Sequence, residues 1–425
     1  MEQFTKLTFL LIIVILLARA ASLLSRRFDL PAVTIQLLIG ILLGPSLVDL
    51  LGVPIILGTW GSVSPNPLHS ILKVLAEIGL IQLMFLAGFR MDWSGVEANL
   101  SRILSLGLWS SLLVLASVTL ATRYFSDRLP EALGIGAMMA ASGFGISALN
   151  LSRLKLREPH AASVISGSAA LSGFLAILLM IGSLTVNYGM IFGGFKAAVA
   201  VSWFLGKLIM FYAIAYFLTS RFLNRIAGPK LQKRPGHMLI GYFLLVAAIY
   251  AWAAMHFGSF AAVGVASLGG ILLGRAHFEG KEKIAEGAES TVTSIPTGVL
   301  FIVLGMEVNF REAGVNIIFV IILFGSVVCS KLIGTWIGTR KGFDSLRERA
   351  LSMFGTLYQG EMGLLIAAYL FSRGVVNPSQ FNMAIIVMVI LTMLSPILMK
   401  VVSIEIMHGN RLSSPFKKGG VREIS

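Results

Sequence analysis

Lys331 lies in an otherwise apolar run between Ile317 and Ile337, and a fixed charge in such surroundings marks a functional site by default. Glu361 stands in a second unusual stretch, Gly355 to Gly363, where three glycines and several polar residues interrupt an apolar segment. An ammonium and a carboxyl group in these positions suit ion pairing and proton carriage. A carboxylate in hydrocarbon costs several kcal/mol unless it is paired or hydrated, so Glu361 is the best candidate proton carrier. Lys331 has two routes open: pairing with Glu361, or staying charged and making the membrane midplane attractive to an anion together with half-helix N-termini. Ser142, Ser147, Asn150, Ser168, Ser172 and Gln359 can offer oxygens to a dehydrated sodium or potassium ion, the ligand type that hard cations prefer. Without a carboxylate such a site binds weakly, and hydroxyls in apolar helices commonly bond their own backbone instead.

The remaining polar residues offer less. Glu77 falls inside another apolar segment and Glu307 near the end of one, while Lys207 reads as a snorkelling or cleft-facing side chain. His160, His237, His256 and His277 sit near segment ends and show no ligand spacing. The single cysteine, Cys329, excludes an internal disulfide framework, and no metal cluster is expected. There is no phosphate-cradling Gly-x-x-x-x-Gly-Lys-Ser/Thr loop and no zinc-spaced His/Glu pair, so neither an enzyme nor a nucleotide-driven pump is expected, and no cofactor is called for.

The elements that must hold these residues are membrane helices. Of the residues 56% are hydrophobic and only 13% charged, which excludes an ordinary soluble protein. Runs of about 20 apolar residues, the length needed to cross a bilayer as a helix, occur at 5–25, 30–51, 69–89, 101–122, 130–152, 159–184, 192–220, 237–256, 258–275, 292–309, 315–338, 349–371 and 378–401. Open strands would leave backbone groups unpaired in lipid, so the fold class is an all-α polytopic membrane protein with about 13 transmembrane helices. The first segment lacks a basic leader and a small-residue cleavage site and reads as a retained helix. The 44 glycines suit close helix packing.

Orientation follows the lysines and arginines. Most of the 34 fall in alternate connections and in the tail, including Arg221, Arg225, Lys230, Lys233 and Arg234 in one of them. The opposite connections hold only Lys6, Arg123, Arg128, Lys196, Arg311 and Arg373. This places the N-terminus outside and the C-terminus in the cytoplasm, in a cell inner (plasma) membrane. The net charge of +14 is then a basic cytoplasmic face in contact with anionic lipid, and implies no nucleic-acid partner.

The spans form two similar halves around the seventh, and an odd connecting helix inverts one half relative to the other, as in secondary transporters. Breaks fall at matching places: Ser142 to Ser147 in the fifth span and Gly355 to Gly363 in the twelfth. Local unwinding there frees backbone groups to hold a substrate.

These residues resemble a known family. Thr34 to Pro45, Leu75 to Leu80 leading into Phe85 to Gly88, Gly305 to Val308, Lys331 to Gly334, and Gly360 to Leu364 are similar, in order and spacing, to the monovalent cation:proton antiporter 2 family. The resemblance runs to about residue 405. It implies a homodimer working by an elevator-like movement. Scaffold helices would span about 1–90 and 237–309, core helices about 101–184 and 315–401, and a linker helix about 192–220, followed by a basic cytoplasmic tail at 406–425. The broken fifth and twelfth helices would cross at the centre of the core. In the family, acidic residues of the sixth helix bind the cation or protons in alternation, and a lysine of the eleventh pairs with them.

This chain departs from that pattern. Ser172 and Gly173 stand at the family's acidic positions, no carboxylate follows Glu158 in the sixth span, and Gln359-Gly360-Glu361 replaces an arginine–glycine–glutamate. Phe89-Arg90 stands where a leucine–glutamate pair is usual. The expected function is monovalent cation (sodium or potassium):proton antiport, with Glu361 and Lys331 as the charged pair. The alternatives are a transport-inactive sensor or assembly relative, and a proton-coupled transporter of an anionic or neutral solute.

Overall fold

The computed structural model of the chain describes residues 2–28, 32–47, 67–145, 147, 159–226, 252, 266–272, 274, 294–306, 308–310, 316–340, 343 and 346–412. All regular structure among them is helical: α1 (Glu2–Phe28), α2 (Ala32–Leu43), α3 (Pro67–Arg90), α4 (Trp93–Ala98), α5 (Leu100–Phe125), α6 (Leu129–Ala140), α7 (Pro159–Phe192), α8 (Gly194–Ile226), α9 (Ser294–Met306), α10 (Ile317–Gly338), α11 (Leu346–Thr356), α12 (Glu361–Ser372) and α13 (Pro378–Leu412). Seven of the described helices are long and apolar enough to cross a membrane, and four shorter apolar ones accompany them. The chain is therefore an all-α, multi-pass membrane protein.

The correspondence with the sequence spans is close, with informative differences. The fifth span is interrupted: α6 stops at Ala140, Ala141 is extended, and residues 142–143 lie outside any helix. The twelfth is divided into α11 and α12 by Leu357 to Gly360. The sixth runs past its expected end at 184 to Phe192, because nothing between Thr185 and Phe192 stops a helix until Gly193, at φ +89. The short α4 lies in the connection after Arg90, too brief for any apolar periodicity to announce. The span 237–256 lies outside the described residues apart from Trp252, as do most of 258–275 and the tail beyond 412.

The helices pack in two groups. α1, α2 and α3 gather on α9, and α5, α6, α7 and α10 to α13 gather on one another. α2 against α13 joins the groups, and α8 packs on α7. Close backbone approach holds both groups together. A Cβ on Gly40 of α2 would lie 2.8 Å from the Cα of Gly305 on α9, and one on Gly334 of α10 would lie 2.7 Å from the Cα of Ser110 on α5. With lipid on the outside there is little hydrophobic gain from association, so such small-residue contacts supply the packing energy.

Candidate functional site

The two breaks meet. Gly143 donates its amide to Tyr358 O at 3.0 Å, and a Cβ on Gly360 would fall 2.0 Å from the Cα of Gly143. Only a hydrogen atom in place of a side chain at Gly360 allows this approach. Ending α6 at Ala140 and α11 at Thr356 leaves C-terminal carbonyls without helical partners at the same place.

Lys331 fills that need. Its Nζ donates to Thr356 O at 2.8 Å, to Ser142 Oγ at 2.9 Å and to Ala141 O at 3.4 Å. The side chain is fully buried. Both α6 and α11 turn the negative ends of their dipoles towards the ammonium, which offsets part of the cost of burying it. Its three N–H groups thus meet three neutral oxygens.

Ser142 ties the break together. Its Oγ also donates to Thr356 O at 3.1 Å, and its amide donates to Ser172 Oγ at 3.0 Å. Ser172 in turn donates to Ala169 O at 2.8 Å, so its hydroxyl links the break to α7. Ser168 bonds its own helix at Ile165 O, 2.9 Å away. Gln359 donates its Nε2 to Met139 O at 3.0 Å and accepts at its backbone oxygen from Thr392 Oγ1. Thr335 and Thr356 share a hydroxyl bond of 2.9 Å, and Ser395 donates to Phe354 O at 2.6 Å. Ser147 Oγ and Gln359 Oε1 are among eight buried side-chain oxygens without a hydrogen-bond partner among the described residues; the others, such as Thr34 Oγ1, Gln82 Oε1 and Ser352 Oγ, are spread over the helices.

Lys331, Ser142, Ser172 and Gln359 are therefore brought together from four segments far apart in sequence. Glu361 opens α12 beside the break, but its side chain lies outside the described residues, as does Asn150 altogether. Glu307, His237, His256 and His277 lie outside them too. Glu77 belongs to α3, in the other helix group, and is half-buried. Lys207 is exposed on α8, with its Nζ 5.0 Å from the Trp203 ring centre. Among the described residues no group of His, Cys, Asp and Glu could hold a metal ion. Sequence reasoning missed Thr335, Thr392 and Ser395. The available signal was a lone hydroxyl in an apolar helix, opposite a segment already marked as broken.

Known proteins share this arrangement of helices. The family model described as sodium/hydrogen exchanger, transmembrane, matches residues 12–401. A sodium/proton antiporter of Enterococcus hirae is 25% identical over 394 residues, covering 92% of this chain and 96% of the relative. The sodium/proton–potassium antiporter GerN of Bacillus cereus is 24% identical over 393 residues, covering 92% and 95%. The solved structure of the sodium proton antiporter MjNhaP1 from Methanocaldococcus jannaschii superposes with a TM-score of 0.67 at 16% identity, covering 95% of this chain and 99% of that one.

Proposed function

The chain belongs to the sodium/hydrogen exchanger transmembrane family, and on that premise we propose that it exchanges a monovalent cation, sodium or potassium, for protons. The names of its relatives support the exchange, since they are sodium/proton and sodium/proton–potassium antiporters. The observation that carries the proposal is the Lys331 ammonium, fully buried where two broken helices meet. Lys331 and Glu361 supply the charge of the site in this reading.

The movement is elevator-like. Helices of about 101–184 and 315–401 form the moving core, those of about 1–90 and 237–309 the scaffold, and 192–220 the linker. The packing into two groups, joined by α2 on α13, suits such a division. The protein works as a homodimer in a bacterial-type inner membrane, in contact with anionic lipid, N-terminus outside and C-terminus in the cytoplasm. The lysine and arginine asymmetry supports that orientation.

Proton flux in proteoliposomes carrying a pH-sensitive dye tests the proposal, with sodium, potassium and lithium added in turn. Cation-dependent flux that Lys331→Ala or Glu361→Gln abolishes is the expected result. One observation favours a second reading, a transport-inactive relative: the three donors of Lys331 are matched by three neutral acceptors, as in a permanent clamp. No flux with any cation from correctly folded protein would end the first reading and leave the inactive relative and the anionic- or neutral-solute transporter.

A further inference from the structure

Two charged side chains are buried among the described residues, Lys331 and Glu131, and they stand at opposite ends of α6. The Lys331 ammonium bonds Ala141 O, just past the last residue of the helix. Glu131 lies in the first turn. With 12 residues in α6, the two ends are about 18 Å apart. The negative end of the α6 dipole thus faces the ammonium and the positive end the carboxylate, the arrangement that favours both charges. Lys331 belongs to the site at the break, whereas Glu131 bonds none of the residues there.

What Glu131 does bond is the start of another helix. Its Oε1 accepts from Asn377 N at 2.8 Å, and its Oε2 from Ser126 Oγ at 2.7 Å. Asn377 directly precedes α13 and caps it, its Oδ1 accepting from Gln380 N at 2.8 Å. The carboxylate therefore sits at two helix N-termini at once, which offsets part of the cost of burying it. The arginines closest along the chain bond elsewhere: Arg128 donates to Asn187 Oδ1 at 3.4 Å, and Arg373 lies 5.1 Å from the Tyr369 ring centre. Other contacts hold the same end of α6. Ser183 Oγ of α7 donates to Pro130 O at 2.7 Å, and a Cβ on Gly134 would lie 3.0 Å from Leu370 Cδ1 of α12.

Both helices joined at Glu131 also reach the break. α6 brings Met139 O, and Ala141 O just beyond its end, to Gln359 and Lys331. α13 brings Thr392, which donates to Gln359 O, and Ser395, which donates to Phe354 O at 2.6 Å. A helix bonded within itself moves as a rod, so fastening the two at one end fixes where their groups stand at the other. We propose that Glu131 is a positioning residue for the Lys331 site: by tying the N-terminus of α6 to that of α13, it holds in place the carbonyls that Lys331 and Gln359 bond. Its consequence for transport rests on the antiport reading, while the fastening itself has a readout of its own.

The test measures KM and maximal rate for sodium, potassium and lithium at one pH in wild type, Glu131→Ala and Glu131→Gln. Glu97→Gln serves as a control, since Glu97 is an exposed carboxylate on α4. Hydrogen–deuterium exchange of the same proteins in detergent follows the amides of Ser142 and Gly143, which bond Ser172 Oγ and Tyr358 O. Glu131→Ala should raise the KM of the preferred cation about tenfold or more, the scale of a misplacement passed on from outside the site. It should also speed exchange at Ser142 and Gly143 as well as at Asn377. Glutamine still offers an oxygen to Asn377 N, so Glu131→Gln should stay near wild type in both readouts. If the alanine variant does not fold, Glu131→Asp, one methylene too short to reach both donors, carries the test with the same expected direction. A KM within about twofold of wild type, faster exchange at Asn377 alone, or a glutamine variant that matches alanine would each overturn the proposal. Were wild type silent with every cation, the antiport reading would fall and exchange alone would decide. Faster exchange at Ser142 and Gly143 in Glu131→Ala would then uphold the fastening, and a change confined to Asn377 would overturn it.

Discussion

Gly360 and Gly143 touch through their backbones, so closely that a Cβ on Gly360 would sit 2.0 Å from the Cα of Gly143. They belong to breaks more than 200 residues apart in the chain, yet the Gly143 amide also bonds Tyr358 O. The whole polar site is organised around this contact. Lys331 bonds Ala141 O and Thr356 O, and Gln359 bonds Met139 O, acceptors that all lie within four residues of Gly143 or Gly360 along the chain.

Gly360→Ala should accordingly remove function and folded yield together. The clash is with backbone, which cannot swing away, so the penalty is at the upper end of over-packing costs, about 3 kcal/mol or more. Gly325→Ala is the matched control, because a Cβ there meets nothing within 4 Å. Monodispersity in detergent and flux in proteoliposomes should fall for the first variant and stay for the second.

Lys331→Ala removes the donor to Ala141 O and Ser142 Oγ and one of two donors to Thr356 O. Buried acceptors left without donors, plus the cavity, should destabilise the protein by roughly 2–4 kcal/mol. Melting in detergent checks this. A variant as stable as wild type would show that the ammonium does not clamp the break.

Ser172→Asp places a carboxylate where the Ser142 amide already donates to the side chain. Ser142 Oγ is itself bonded to Lys331, so the new charge lies two hydrogen bonds from the ammonium. The expected outcome is a cation KM lowered by about tenfold, the gain from adding a charged ligand. That gain should disappear as pH falls and the carboxyl takes up its proton. A pH series of KM values against wild type reads both effects.

Asn382 on α13 closes a pair of bonds with the backbone of Asn309, just beyond α9: its Nδ2 donates to Asn309 O at 2.7 Å and its Oδ1 accepts from Asn309 N at 3.3 Å. If the core moves against the scaffold, this pair must open in every cycle. Asn382→Ala should then raise the initial flux rate several-fold. In a Cys329→Ser background, chemical crosslinking of Asn309→Cys to Asn382→Cys should stop flux, and reduction should restore it. Full-rate transport by the crosslinked protein would exclude movement at this joint.

Much of this molecule is legible in its sequence because lipid allows so few solutions. Apolar runs such as 5–25 and 315–338 must be helices, since an unpaired backbone is too costly in hydrocarbon, and they are. The interruptions near Ser142 and Gly360 could be read from glycine and polar residues clustered in apolar surroundings. Lys331 stood out as a charge within an apolar run.

Only the tertiary structure decided what those residues meet. Ala141 O and Thr356 O are backbone atoms, and no residue type announces that they lie beside Nζ of Lys331. Ser168 and Ser172 look alike in sequence, yet among the described residues the hydroxyl of one bonds only its own helix while the other accepts the Ser142 amide. Periodicity and composition determined the helices because each satisfies its hydrogen bonds within itself. The site was decided by the folded packing, because breaking two helices leaves groups whose partners can come only from elsewhere in the chain.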